Sequence, residues 1–116
     1  MQSIFVFGSN LAGRHGKGAA LHARLHCDAE TGVGEGLTGT SYALPTKDEN
    51  LKKRSLGGVR QSYLKFLSFA ENTPQLLFEL TPFGTGLAGF DFDTIKTLIL
   101  ESNVPRNVLF TQEWIR

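Results

Sequence analysis

Cysteine is almost absent. The 116-residue chain has one, Cys27, so no intrachain disulfide can form and a structural zinc site built on cysteines is excluded. That usage fits a reducing, cytoplasmic setting. Long apolar runs are missing too. The N-terminal stretch from Met1 to Gly8 lacks a basic leader and is too short for a signal-peptide core. Nothing approaches the roughly 20 apolar residues that cross a bilayer, so a soluble protein with no membrane partner is expected. Charge of one sign is lacking as well. Twelve lysines and arginines against eleven acidic residues leave a formal charge of +1, and no basic field exists to capture nucleic acid through its phosphates. His15, His22 and His26 come without a carboxylate pattern, and no metal site is expected.

What is present is ordinary globular composition, 41% hydrophobic and 20% charged, in a length typical of one domain. Residues 1–116 are therefore expected to form a single domain. Ile4 to Phe7 reads as a buried strand, and a helix starts near Gly18 with Leu21 and Leu25 four residues apart. The glycine-rich stretch from Thr31 to Thr40 reads as loop, and Ser41 to Leu44 as a short strand that Pro45 ends. The polar residues 49–56, with Lys52, Lys53 and Arg54, form a solvated turn on this reading. Val59, Tyr63, Phe66, Leu67 and Ala70 make the stripe of an amphipathic helix. Leu76 to Leu80 is a strand, Asp91 or Asp93 caps a helix through Leu100, and Asn107 to Thr111 is the last strand. This order predicts an α/β fold with a mixed, largely parallel sheet flanked by helices, whose ligands collect beyond the carboxyl ends of the strands.

Two glycine-rich loops lie at those ends. Gly8 to Ala20 joins a buried strand to a helix, and Gly13, Gly16 and Gly18 let backbone N–H groups converge on an anion at the helix N-terminus. The glycine spacing is neither that of a Rossmann unit nor that of a Walker A loop. Thr81 to Phe90 repeats the arrangement after another strand. If the two strands are neighbours, the loops form two lips of one cleft, suited to a diphosphate.

Phe7-Gly8-Ser9-Asn10, Gly16-Lys17-Gly18-Ala19-Ala20, Ser41 to Asp48 and Gly84 to Phe90 together resemble the macrodomain family, in particular its compact bacterial and phage-type members. The match runs in order over most of the chain. The resemblance implies a three-layer domain that binds ADP-ribose or a derived nucleotide. Ser9 and Asn10 would lie at the strand end, with Gly16, Gly18 and Ala19 on one side of the diphosphate. Gly84, Thr85, Gly86, Leu87, Ala88 and Gly89 would lie on the other, and Phe90 near the ribose or adenine. The acidic residue that often reads adenine, on a strand ahead of this first one, has no counterpart before Ile4. No cofactor is implied.

Some macrodomains hold ADP-ribose and others remove it from a modified protein or nucleic acid. In one hydrolytic branch a lysine after the central strand attacks the anomeric carbon, and Lys47 matches it, as a candidate nucleophile that needs a neutral amine. The aspartate such enzymes carry in the second grip loop is replaced by Ala88. The acid that another branch places after the first glycine run is replaced by Ala19 and Ala20. Glu35 and Asp48 are candidates for the missing carboxylate, or plain loop residues. His15, in the loop, is a candidate ligand contact. Asn10 is read either as a ribose contact or as a turn former, and Cys27 as a packing residue. Trp114 is expected to pack on this chain or on a neighbour. Two further readings are a non-catalytic phage-type protein that sequesters an NAD-derived nucleotide signal, and a structural adaptor in which the glycine loops only turn the chain.

Overall fold

In β1, Ser3–Asn10, successive side chains point to opposite sides, and both sides are covered. Ile4 and Val6 face one layer, Phe5 and Phe7 the other. The computed structural model describes residues 3–115 and places β1 at the centre of a five-stranded sheet. The other strands are β2, Gly36–Thr38; β3, Ser41–Lys47; β4, Leu77–Leu80; and β5, Val108–Phe110. Their order is β2-β3-β1-β4-β5, parallel throughout except for antiparallel β2 at one edge.

Helix α1, Gly18–His26, packs on the Phe5 and Phe7 face. There Ala20, Ala23, Ala29 and Ala43 are small enough to let helix and sheet approach closely. Helices α2, Leu56–Glu71, and α3, Phe92–Leu100, cover the opposite face. The stripe of Val59, Tyr63, Phe66, Leu67 and Ala70 is buried there with Ile95, Leu98 and Ile99 against Ile4, Val6, Phe78 and Leu80. Burying each large apolar side chain of this kind is worth about 1.5–3 kcal/mol. The result is the expected three-layer α/β architecture with a mixed, largely parallel sheet. Among the described residues no helix is long and apolar enough to cross a membrane.

The structure departs from the sequence reading in several places. Pro45 does not end β3, which continues to Lys47. A proline costs a ladder hydrogen bond only where its nitrogen has a partner; here β2 stops pairing at Ala43, and β1 shifts register between Ser9 and Asn10. The stretch expected as loop contains β2, a three-residue edge strand held by pairing with Ser41–Ala43. Within residues 49–56 the chain turns at Asp48 to Lys52, where the Asp48 carboxylate accepts from the N–H groups of Asn50 and Lys52, and Leu56 already belongs to α2. Lys53 and Arg54 are not merely solvated. Lys53 Nζ lies 4.4 Å from the centroid of the Phe90 ring and donates to the Gly89 carbonyl, while Arg54 donates to the Pro45 carbonyl and to Ser62 Oγ. Trp114 packs on its own chain, its Nε1–H donating to the Leu80 carbonyl at 2.7 Å.

The connection after β1 leads through α1 to β3, whereas the connection after β4 leads through α3 to β5 on the other flank. Because β1 and β4 are neighbours, the two glycine loops separate at a topological switch point, where open α/β sheets bind ligands.

Candidate functional site

A cleft of about 940 Å³ opens at that switch point. Its floor is the end of β1, where Gly8 lets the two loops approach closely: a Cβ there would lie 3.1 Å from the backbone nitrogen of Gly84. Ser9 and Asn10 are on the wall but already have partners. Ser9 Oγ donates to the Gly34 carbonyl at 2.5 Å. The Asn10 amide donates to the Arg14 carbonyl at 2.8 Å and accepts from the Arg14 N–H at 2.9 Å. Both bonds are to the main chain of Arg14, within the turn.

Loop 1, residues 11–17, contributes Arg14, Gly16 and Lys17, and α1 adds Gly18, Ala19, Ala20 and His22. Helix α1 begins without a side-chain cap and without an acid in its first turn; its first intrahelical acceptor is the Lys17 carbonyl, bound by the Leu21 N–H. The N–H groups of Gly18, Ala19 and Ala20 therefore have no intrahelical acceptor, and they sit at the positive end of the helix dipole.

Loop 3, residues 81–91, contributes Thr81, Pro82, Phe83, Gly84, Thr85, Gly86, Leu87 and Ala88. Its shape is set internally: the Phe90 N–H donates to the Gly84 carbonyl at 2.8 Å, the Gly89 N–H to the Gly86 carbonyl at 3.0 Å, and Thr85 Oγ1 to the Pro82 carbonyl at 2.7 Å. Among the described residues, nothing accepts from the N–H groups of Gly86, Leu87 and Ala88. Leu87 reaches across the opening, its Cδ1 lying 3.7 Å from where a Cβ on Gly18 would be. The cleft is thus lined on two sides by residues whose main-chain N–H groups have no acceptor among the described residues.

Lys47, at the end of β3, lines the cleft beside Thr46 and Leu51 and is half-buried. Two residues expected at the ligand lie elsewhere. The chain reverses at Gly89, whose φ is +79°, and turns Phe90 inward, where it is buried in the larger core against Gly84 and Lys53. Gly89 is exposed beside it and off the cleft wall. His15 is also not a wall residue. It is 3% exposed; Nε2 lies 3.1 Å from the carbonyls of both Glu30 and Val33, and the ring stands edge-on to Phe7. Glu35 and Asp48 are off the wall as well: Glu35 pairs with Lys65 at 4.0 Å, and Asp48 holds its own turn.

His22, which could be read as a general acid or base, is on the wall, and the wall residues that the sequence reading missed include Phe5, Arg14, Lys17, Thr46, Leu51, Pro82 and Glu113. Arg14 and Lys17 stand inside the recognised loop and could have been found there. Glu113 belongs to a single 3-10 turn, Gln112–Trp114, that reaches the cleft only through tertiary packing. Cys27 is half-buried at the end of α1, where burial first, then Glu79 and Asp28, push its thiol up. Among the described residues no group of three histidine, cysteine or acidic side chains could hold a metal ion.

No protein-family model matches the sequence, and no curated protein does so either. The fold has a clear counterpart among solved structures. The chain is similar to the macrodomain of Mycobacterium tuberculosis DarG with a TM-score of 0.68 and 16% identity, covering 94% of this chain and 87% of that one. The chain therefore has the macrodomain fold.

Proposed function

We propose that residues 1–116 act as a single macrodomain-like unit that binds ADP-ribose, or a nucleotide derived from it, with its diphosphate between loops 1 and 3. The observation that carries this reading is the pair of main-chain donor sets, Gly18–Ala20 and Gly86–Ala88, lining an open cleft at the switch point. Hydrogen bonds to a charged acceptor contribute about 1.5–3 kcal/mol each, so a few suffice without a basic cluster. Arg14, Lys17 and Lys47 add positive charge along the wall. A purely structural role would be served by loops filled with side chains, and the cleft speaks against it.

Holding is favoured over cleavage. The positions where the resemblance would put a hydrolase's acid are Ala19, Ala20 and Ala88, and the one carboxylate on the wall among the described residues is Glu113, which follows β5 rather than β3. Lys47 remains the candidate for chemistry on an ADP-ribosylated protein or nucleic acid. The test is calorimetric titration with ADP-ribose of the unsubstituted protein and of Gly86→Glu. Gly86 is exposed and a Cβ there meets nothing within 4 Å, so the variant folds while placing a negative charge among the donors. Its affinity should fall by about thirty-fold or more; unchanged affinity moves the site elsewhere. Incubation with ADP-ribosylated peptide and oligonucleotide separates the two activities. A holder returns both intact, whereas a hydrolase using Lys47 releases ADP-ribose, and Lys47→Ala does not.

A further inference from the structure

We propose that His22 and His26 form a two-histidine site for a divalent transition metal such as Zn²⁺, on the exposed side of α1 at the edge of the cleft. Four residues apart on one helix, the two side chains are neighbours on the same face. Their ring centroids stand 4.9 Å apart. An imidazole nitrogen binds Zn²⁺ at about 2.1 Å and lies about 1.2 Å from its ring centroid. Two rings sharing one ion therefore stand about 4.6 Å apart at a right angle and about 5.3 Å apart at the tetrahedral one. The observed separation falls between these. The 42° tilt between the rings is no obstacle, because each ring can turn about its metal–nitrogen bond.

Both residues are exposed, and among the described residues neither has a hydrogen bond or ion pair that occupies its ring nitrogens. The third histidine cannot take their place, since His15 is buried with Nε2 held by two carbonyls. His22 also packs on Phe5, with ring centroids 4.9 Å apart, which restrains one ligand before the ion arrives and lowers the side-chain freedom that binding must remove. Imidazole suits Zn²⁺, Ni²⁺ and Cu²⁺, whereas Mg²⁺ and Ca²⁺ take oxygen ligands, so the pair selects by donor chemistry. Among the described residues no third histidine, cysteine or acidic side chain joins it. The site is therefore open, unlike a closed structural one: two positions of a tetrahedral ion are left to water or to an exogenous ligand. His22 lines the cleft and His26 does not, which puts the ion at the rim rather than between loops 1 and 3. The site does not depend on what the cleft binds.

The experiment is calorimetric titration of the untagged, metal-free protein with zinc chloride and, separately, magnesium chloride, alongside His22→Gln and His26→Gln, with the histidine ring signals followed by NMR. The unsubstituted chain is expected to bind one Zn²⁺, to shift the ring signals of His22 and His26 while those of His15 stay in place, and to ignore Mg²⁺. Either variant should bind Zn²⁺ about a hundred-fold or more weaker, because the second imidazole acts at high effective concentration. His26→Gln leaves the packing of His22 on Phe5 in place, so it carries the test if His22→Gln fails to fold. Absence of Zn²⁺ binding, an affinity that falls by less than about ten-fold in a folded variant, or ring shifts that bypass His22 and His26 overturns the assignment.

Discussion

His15 shows how a polar residue in a glycine loop can belong to the scaffold. With Nε2 near two carbonyls, that nitrogen carries the proton and donates, which ties loop 1 to residues 30–33. Nδ1 is buried with no hydrogen-bond partner among the described residues, and Arg24 donates back to the His15 carbonyl. Removing the ring leaves a cavity against Phe7 and two carbonyls without their donor. His15→Ala should lose about 2–3 kcal/mol in urea denaturation. A loss near zero would return His15 to the exposed loop position that the sequence suggests. Burial of this kind is not legible locally, because the carbonyls that hold His15 lie fifteen and more positions later in the chain. Gly34 makes the same point: a Cβ there would collide with the Asn10 carbonyl, so the glycine is demanded by a distant segment. The position of Phe90 was hidden for a related reason, since adjacency to the grip loop does not tell whether its ring turns toward the cleft or the core, where it lies.

At the scale of elements, the long periodic ones were legible. The stripe of α2 and the apolar run of β1 follow from the side-chain pattern alone, and α2 even carries its cap, Ser55 Oγ accepting from the Gly58 N–H at 3.1 Å. The three residues of β2 carry no such pattern and exist because β3 offers an edge. Helix α1 differs from α2 at its N-terminus. Its capping position is Lys17, extended, with no side-chain bond to the first turn. An uncapped start is costly for the helix but keeps its donors open to an anion. Lys17→Asp should therefore supply the missing acceptor and raise stability by about 1 kcal/mol, while ADP-ribose affinity drops by about ten-fold or more as the new carboxylate competes for the same N–H groups. A variant that gained stability with no loss of affinity would show that the α1 terminus does not touch the ligand.

At the scale of the whole molecule, the larger core holds two tyrosines together with its phenylalanines. Burial, then the nearby Glu35, push the Tyr42 phenol from 10.0 up to about 12. Tyr63 is also raised by burial, against the opposing effect of its hydrogen bond with Ser102. The unfolded chain thus releases the Tyr42 proton near pH 10 and the folded chain only toward pH 12. Stability should be unaffected by these groups below about pH 10 and fall through that window; denaturation at neutral and alkaline pH reads the slope, and Tyr42→Phe should flatten part of it. The cleft behaves differently, since main-chain amides do not titrate across the physiological range. Main-chain donors also leave alanine scanning nearly blind to such a cleft, because no alanine substitution deletes an amide hydrogen. At Gly16 and Gly86 an added methyl meets nothing within 4 Å. What such a site demands of evolution is mostly that certain side chains stay small, a requirement that many sequences satisfy while sharing little else.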